Sequence, residues 1–370
     1  MTITVENLTK KYSSGQEEVV AVDDVSFEAT QGELFTLLGP SGCGKTTTLR
    51  CLAGLEQING GTISIGGETV ATPKQSTKPE HRDIGLVFQS YALWPHMTAR
   101  ENILYALKAR DWPKNDRENR IEEVLELVGL PEIGGRYPSE LSGGQQQRIS
   151  FARAVSYEPS VLLMDEPLSN LDFKQRRRMR RLLLEMLQEV GITTVYVTHD
   201  QEEAFEISDE TLVLNTGQKA QQGTPQELYK NPTSPFVADF LGEANLFDAT
   251  ARDVDAAAGV AQCEVRSGGT TIEMECSFQD ESVLKDPIVV IRPEDVRPGA
   301  YTDGATVADE RNRWDGTVSH QFYRGSFTQN IIDVGEIRFK CKTDKPVLDE
   351  GQDVSIVVEP SDAKLVHDEV

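Results

Sequence analysis

The residues best suited to chemistry fall into three short groups. Lys45, Thr46 and Thr47 end the run Gly39-Pro40-Ser41-Gly42-Cys43-Gly44, Asp165 and Glu166 stand together after an apolar stretch, and His199 follows another. Glycines in the first group let backbone N–H groups turn toward phosphate oxygens, and a helix starting there adds roughly half a positive charge. Lys45 then reaches the β- and γ-phosphates of a nucleoside triphosphate, Thr46 holds Mg²⁺, and Thr47 donates to the phosphates. Asp165 can hold the same metal through water. Glu166 is placed to polarise a water that attacks the γ-phosphate, and His199 to hold phosphate and water in line. Phosphoryl transfer to water needs positioning and charge stabilisation more than covalent help, and these residue types supply both.

For the groups to meet, they must leave the same edge of an open α/β sheet, where such sheets bind ligands. Leu34 to Leu38 and Val161 to Met164 are apolar on consecutive residues, as strands buried on both faces are. Thr193 to Thr198 reads as a third core strand, and Ile84 to Phe88 as a further one that delivers Gln89. Thr46 to Ala53 reads as the helix after the glycine loop. Residues 3 to 9 and 19 to 29 read as edge strands joined by the polar turn Ser13 to Glu18, and Tyr12 beside that turn is an aromatic able to stack on a base. From Tyr91 to Tyr137 the pattern is helical, with Ala99 to Ala109 and Arg117 to Val128 carrying apolar residues at helical spacing. Leu141-Ser142-Gly143-Gly144-Gln145 opens another helix and forms a second anion-binding end. In the charged helix Phe173 to Val190, Arg176, Arg177, Arg178, Arg180 and Arg181 read as a solvated face. Two short helices run to about Leu241. Beyond them the chain turns to short alternating strands with Gly, Asp and Pro turns, the pattern of a small β-barrel.

At 370 residues the chain is long enough for more than one domain. No apolar run approaches the ~18 residues that a membrane-spanning helix needs, and Met1 to Val5 alternates like a strand instead of resembling an export signal. These features predict a cytoplasmic location. The five cysteines are too scattered for zinc and odd in number, so they read as reduced thiols, with Cys43 a filler of the glycine loop. The formal net charge of −23 repels nucleic acid and anionic lipid. Solubility explains that charge most simply; adaptation to high salt is the sharper expectation.

In their order, Tyr12, GPSGCGKTT, Gln89, LSGGQ, LLMDEP, SNLD and His199 resemble the nucleotide-binding subunits of ATP-binding cassette (ABC) transporters, over roughly residues 1 to 240. The resemblance implies a P-loop α/β fold with a β-rich edge and a helical subdomain at about 90 to 158. It also implies a head-to-tail dimer, of two copies or with a paralogous ATPase subunit. In that dimer Tyr12, the loop Gly39 to Thr47 of one subunit and Ser142, Gly143, Gly144 and Gln145 of the other sandwich each ATP. It further implies that Gln89 senses Mg²⁺ and water and reports to the helical insertion, which grips membrane permease subunits, and that Asp172 links the two sites. The tail resembles the TOBE-type, OB-like barrel of importer ATPases through Ile291-Arg292-Pro293-Glu294-Asp295-Val296, Gly316-Thr317-Val318 and Tyr323-Arg324-Gly325. Arg252 to Thr271 departs from that pattern. The expected domains are 1 to 242 and 243 to 370. The expected function is ATP hydrolysis on the inner face of the membrane, coupled to import and served indirectly by an extracytoplasmic binding protein. The stretch Val87 to Thr98 and the segment Phe236 to Phe247 resemble the iron, polyamine and phosphonate branch more than the sugar branch, which implies such a cargo. The competing readings are a soluble ATPase of translation or DNA maintenance, which would show two cassettes or a coiled coil and basic surface; an exporter ATPase, against which the barrel tail argues; and a chain whose tail is chiefly regulatory.

Overall fold

The computed structural model describes residues 1–14, 17–298, 312–344 and 348–367. Gly15 and Gln16 of the expected polar turn lie outside them. The chain divides into two compact units, Met1–Gln226 and Glu227–Val370. The division falls inside the first of the two short helices, whereas the composition change puts a boundary near Gly242.

In the first unit, β1 (Ile3–Ser14) and β2 (Glu17–Ala29) form a long antiparallel hairpin, and the buried β3 (Leu34–Leu38) leads through the glycine loop into α1 (Lys45–Ala53). β4 (Gly60–Ile65) and β5 (Glu68–Ala71) follow, then β6 (Ile84–Val87), α2 (Ala99–Ala109), α3 (Arg117–Leu127) and α4 (Gly143–Val155). β7 (Val161–Asp165), α5 (Phe173–Val190), β8 (Thr193–Thr198), α6 (Gln201–Ile207) and the hairpin of β9 (Glu210–Asn215) with β10 (Gln218–Gly223) complete it.

Two sheets result, an antiparallel one in the order β2-β1-β4-β5 and a six-stranded one in the order β10-β9-β3-β8-β7-β6. Within the second, β6, β7, β8, β3 and β9 run parallel. Strand side chains alternate between its faces. Phe35, Leu37, Val161, Leu163, Val195 and Val197 pack with α1 and the antiparallel sheet. Leu34, Leu162, Met164 and Tyr196 face the opposite way, into a core with α2, α3, α4 and α5. Burial on both faces explains the unbroken apolar runs.

The second unit begins within α7 (Pro225–Lys230) and continues with α8 (Pro235–Phe240). Its strands are β11 (Asn245–Asp255), β12 (Val260–Ser267), β13 (Thr270–Ser277), β14 (Ile288–Ile291), β15 (Arg297–Pro298), β16 (Arg313–Tyr323), β17 (Thr328–Val334), β18 (Ile337–Thr343), β19 (Asp353–Val357) and β20 (Lys364–Val366). They form a closed barrel, β11-β12-β13-β20-β14, and a separate five-stranded sheet, β15-β19-β16-β17-β18. Both share one core around Met274, Val289, Ile332 and Phe339. The buried Asn245 joins them, donating through Nδ2 to Ile291 O at 3.2 Å and Lys340 O at 3.0 Å. Arg292, at the end of β14, stacks on Tyr229 at 4.1 Å and donates to the carbonyls of Ala238, Gly242 and Glu243, so it satisfies the turn that follows α8.

Candidate active site

Four neighbouring strands end at one edge of the six-stranded sheet, and each delivers a group predicted to act. β3 ends at the glycine loop, β8 at His199, β7 at Asp165 and Glu166, and β6 two residues before Gln89.

The glycine loop is held from several sides. Gly44, the N-cap of α1, has φ +100°, and a Cβ there would come within 2.4 Å of Ala21 O in β2. A Cβ on Gly39 would come within 2.4 Å of Leu214 O in β9. Only glycine fits either position. Lys45, 4% exposed, folds back over the loop and donates to Gly39 O and Pro40 O, both at 2.8 Å. At the far end of α1, the buried Arg82 donates to Cys51 O and Leu52 O, a cation on the negative end of the helix. Burial pushes the Cys43 thiol up despite the nearby Lys45 ammonium, which suits an inert filler and not a reactive sulfur.

Thr46 Oγ1 donates to Asp165 Oδ1 at 3.0 Å, which ties the loop to β7. Burial raises the Asp165 pKa, the Thr46 hydrogen bond opposes that rise, and neighbouring Glu166 adds to it. A carboxylate held in this state gains from a cation, and a hydroxyl beside a carboxylate is the all-oxygen donor set that Mg²⁺ takes.

Glu166 has φ +42°, a left-handed conformation that costs a non-glycine residue roughly 1–3 kcal/mol. Its neighbours hold it there, with its N–H donating to Val197 O at 3.0 Å and its carbonyl accepting from Ser169 Oγ at 2.9 Å. The side chain meets two of the predicted partners. His199 Nδ1 stands 3.1 Å from Oε1, and Gln89 Nε2 lies 3.4 Å from Oε2 while donating to Ser169 Oγ at 3.2 Å. Asn170 Nδ2 donates to Gln89 O at 2.7 Å. Lys45, Thr46, Asp165, Glu166, Gln89 and His199 are thereby joined to one edge, with Ser41 and Thr47 in the same loop and first turn.

Other predicted residues stand apart from that edge. Tyr12 pairs with Val19 in the β1–β2 hairpin, is partly exposed, and carries the Lys10 ammonium 4.7 Å from its ring centre. Ser142 caps α4 by accepting from Gln145 N at 3.4 Å, while Gln145 Oε1 accepts from Ser142 N at 2.9 Å. The neighbours of Gly143 and Gly144 are Leu171, Tyr91 and Met179, not the phosphate loop. Asp172 caps α5, accepting from Gln175 N at 2.9 Å.

Of the arginine run of α5, Arg177, Arg178 and Arg181 are exposed as expected, whereas Arg176 and Arg180 depart from expectation. Arg180 is 2% exposed and pairs with Glu202 at 3.1 Å and Glu206 at 3.3 Å, and Arg176 pairs with Asp200 at 2.9 Å. These two side chains turn toward α6, whose N-cap Asp200 and helical Glu202 and Glu206 supply their partners. The available sequence signal was Asp200 followed three residues later by Glu203, the spacing of a helix start directly after His199.

Comparison with known proteins shows what the chain is similar to. The family described as ABC transporter matches residues 22–169, and the TOBE domain matches residues 289–366. The chain is 43% identical over 331 residues to the Fe(3+) ions import ATP-binding protein FbpC of Brucella abortus (strain 2308), covering 90% of this chain and 87% of that one. It is 42% identical over 330 residues to the spermidine/putrescine import ATP-binding protein PotA of Thermobifida fusca (strain YX), covering 89% and 83%. A solved dimeric ATP-binding cassette in a post-hydrolysis state bound to ADP and Pi superposes with TM-score 0.54 at 31% identity, covering 60% of this chain and 98% of that one.

Proposed function

The chain belongs to the ABC transporter family as an importer ATPase subunit with a C-terminal TOBE domain, and on that premise we propose that two copies enclose ATP head to tail and drive ferric iron uptake through separate permease subunits. The observation that carries the reading is the convergence of Lys45, Thr46, Asp165, Glu166, Gln89 and His199 on adjacent strand ends.

In this scheme the loop amides from Gly39 to Gly44 and the Lys45 ammonium hold the phosphates, and Tyr12 stacks on the base. Lys45 then exchanges the carbonyls of Gly39 and Pro40 for phosphate oxygens. Thr46 and Asp165 hold Mg²⁺ with Gln89. When bound, Mg²⁺ neutralises charge on the β- and γ-phosphates. Glu166 accepts the proton of the attacking water, and His199, set against Glu166 Oε1, keeps water and γ-phosphate aligned. The start of α4 closes the site from the second subunit, and Asp172 carries the state of one site to the other. A paralogous ATPase subunit could take the place of the second copy.

The helical layer offers a docking face for the permease. Phe88, Tyr105 and Tyr137 are exposed there, and the Trp94 ring lies tilted against Tyr105 with centroids 4.3 Å apart. No helix among the described residues is long and apolar enough to cross a membrane. The assigned place is the inner face of the membrane, with an extracytoplasmic binding protein acting only through the permease. Several relatives are named for Fe(3+) import, which puts iron first; the polyamine relative makes spermidine the second reading.

Glu166→Gln keeps the shape of the site and removes its base. The expected result is retained ATP binding, an ATP-dependent dimer on size exclusion, and turnover lowered about 10²–10⁴-fold. Turnover near the wild-type rate would remove Glu166 from the role. For cargo, cells lacking the gene should lose uptake of radiolabelled Fe(III) and keep uptake of spermidine; the reverse selects the second reading.

A further inference from the structure

The His199 side chain is 49% exposed and meets Glu166 Oε1 at 3.1 Å, and the backbone on either side of it sets where the ring can stand. Both neighbours belong to one network. Thr198 Oγ1 donates to Glu203 Oε2 at 2.7 Å and accepts from Asp200 N at 3.0 Å. Asp200 Oδ1 accepts from Glu203 N at 3.2 Å, and Tyr196 OH donates to Glu203 Oε2 at 2.9 Å. Glu203 is 3% exposed, a carboxylate kept inside the protein by these donors.

The cationic partner of this network comes from another element. Arg176, in the first turn of α5, donates through Nη1 to Asp200 Oδ2 at 2.9 Å and through Nη2 to Leu171 O at 3.4 Å. Its backbone N–H donates to Asp172 O at 2.8 Å. One guanidinium therefore joins the loop Leu171-Asp172 to the residue after His199. Its Nε is buried without a hydrogen-bond partner and lies 3.9 Å from Glu203 Oε1. A movement of about 1 Å by the first turn of α5 would bring that pair to hydrogen-bond distance.

We propose that Arg176 is a positioning residue for His199, which through Asp200 and Glu203 makes the placement of the histidine follow the start of α5. Arginine suits the task because its rigid fork addresses Leu171 O, Asp200 and Glu203 together, which a lysine's single ammonium cannot do. A displacement of about 1 Å in a group that aligns reactants can lower a rate by on the order of a hundredfold. The inference rests on His199 taking part in hydrolysis.

The test measures steady-state ATPase kinetics on the full chain with Arg176→Ala, Arg176→Lys, His199→Ala and the double variant. The expected result is kcat lowered about tenfold or more by Arg176→Ala with KM for ATP within about twofold, and partial recovery in Arg176→Lys. In the His199→Ala background, Arg176→Ala should lower the residual rate less than about twofold, because residues acting as a unit are not additive. Losses that multiply in the double variant, or a raised KM with unchanged kcat, overturn the proposal while leaving the role of His199 intact. A His199→Ala variant with wild-type turnover overturns both. Should Arg176→Ala not fold, Asp200→Asn weakens the same link at constant size and must show the same kcat-only loss; unchanged kcat there overturns the proposal equally.

Discussion

Gly143 and Gly144 are glycines that the subunit's own packing does not require. An added Cβ would find nothing nearer than Leu171 at 3.5 Å or Met179 at 3.6 Å, both ordinary contacts, and neither residue has a positive φ. Gly39 and Gly44 differ, since a Cβ at either would strike a backbone oxygen at 2.4 Å. A glycine where alanine would fit, at a helix start whose first N–H groups lack intrahelical partners, suits something that approaches from outside the chain. Gly144→Ala should therefore leave the thermal midpoint of the isolated chain unchanged or slightly raised, since alanine favours helix by up to about 1 kcal/mol over glycine. ATPase activity should fall at least tenfold, about 1.4 kcal/mol in the transition state. Intact activity with intact stability would take the α4 glycines out of the ATP site.

At the scale of elements, the segment that leaves Gln89 carries two consecutive strained residues. Tyr91 and Ala92 both have positive φ, 62° and 46°. Neither is a residue that adopts that conformation without cost. α4 holds the turn in place, with Arg153 donating to Ala92 O at 2.6 Å and Tyr91 O at 3.1 Å while its guanidinium lies 5.0 Å from the Trp94 ring, and Ser150 Oγ donating to Tyr91 O at 2.9 Å. The segment that leaves Gln89 is thus fastened to the helix that begins at Ser142. Arg153→Ala should release it at a cost of about 1–3 kcal/mol for the unpaired carbonyl. Faster proteolysis within residues 89–98 and a lower melting temperature would be the signs; unchanged cleavage would show that the turn holds itself. The strands around the site were legible because doubly buried parallel strands are spelled as consecutive apolar residues, and the glycine loop because its residue types follow from phosphate geometry. The turn at Tyr91 was not, since neither residue signals positive φ. Nor was the α5–α6 network, because a run of arginines has the same letters whether it faces water or carboxylates. In the second unit, Val354, Ile356 and their neighbours were legible as strands, but β alternation does not say which strands pair, so the additional sheet was not foreseen.

For the whole molecule, the net charge of −23 understates how acidic the surface is. Lys10, Lys45, Arg82, Arg153, Arg180 and Arg292 are buried, against only Glu203 and Glu264 among the described carboxylates. Folding therefore takes cations off the surface preferentially, and carboxylates repel one another across what remains. Salt screens that repulsion, but screening is nearly complete by about 1 M, where the Debye length is about 3 Å. Two regimes can then be told apart. If the acidic surface serves only solubility, the melting temperature should rise between about 0.05 and 0.5 M KCl and then level off, with fastest ATP hydrolysis near ~0.15 M. If the surface is adapted to concentrated salt, both stability and ATPase rate should keep rising past about 1 M KCl, where screening has nothing left to add. A plateau below ~1 M with activity falling beyond it would reject that adaptation and leave solubility as the reason for the charge.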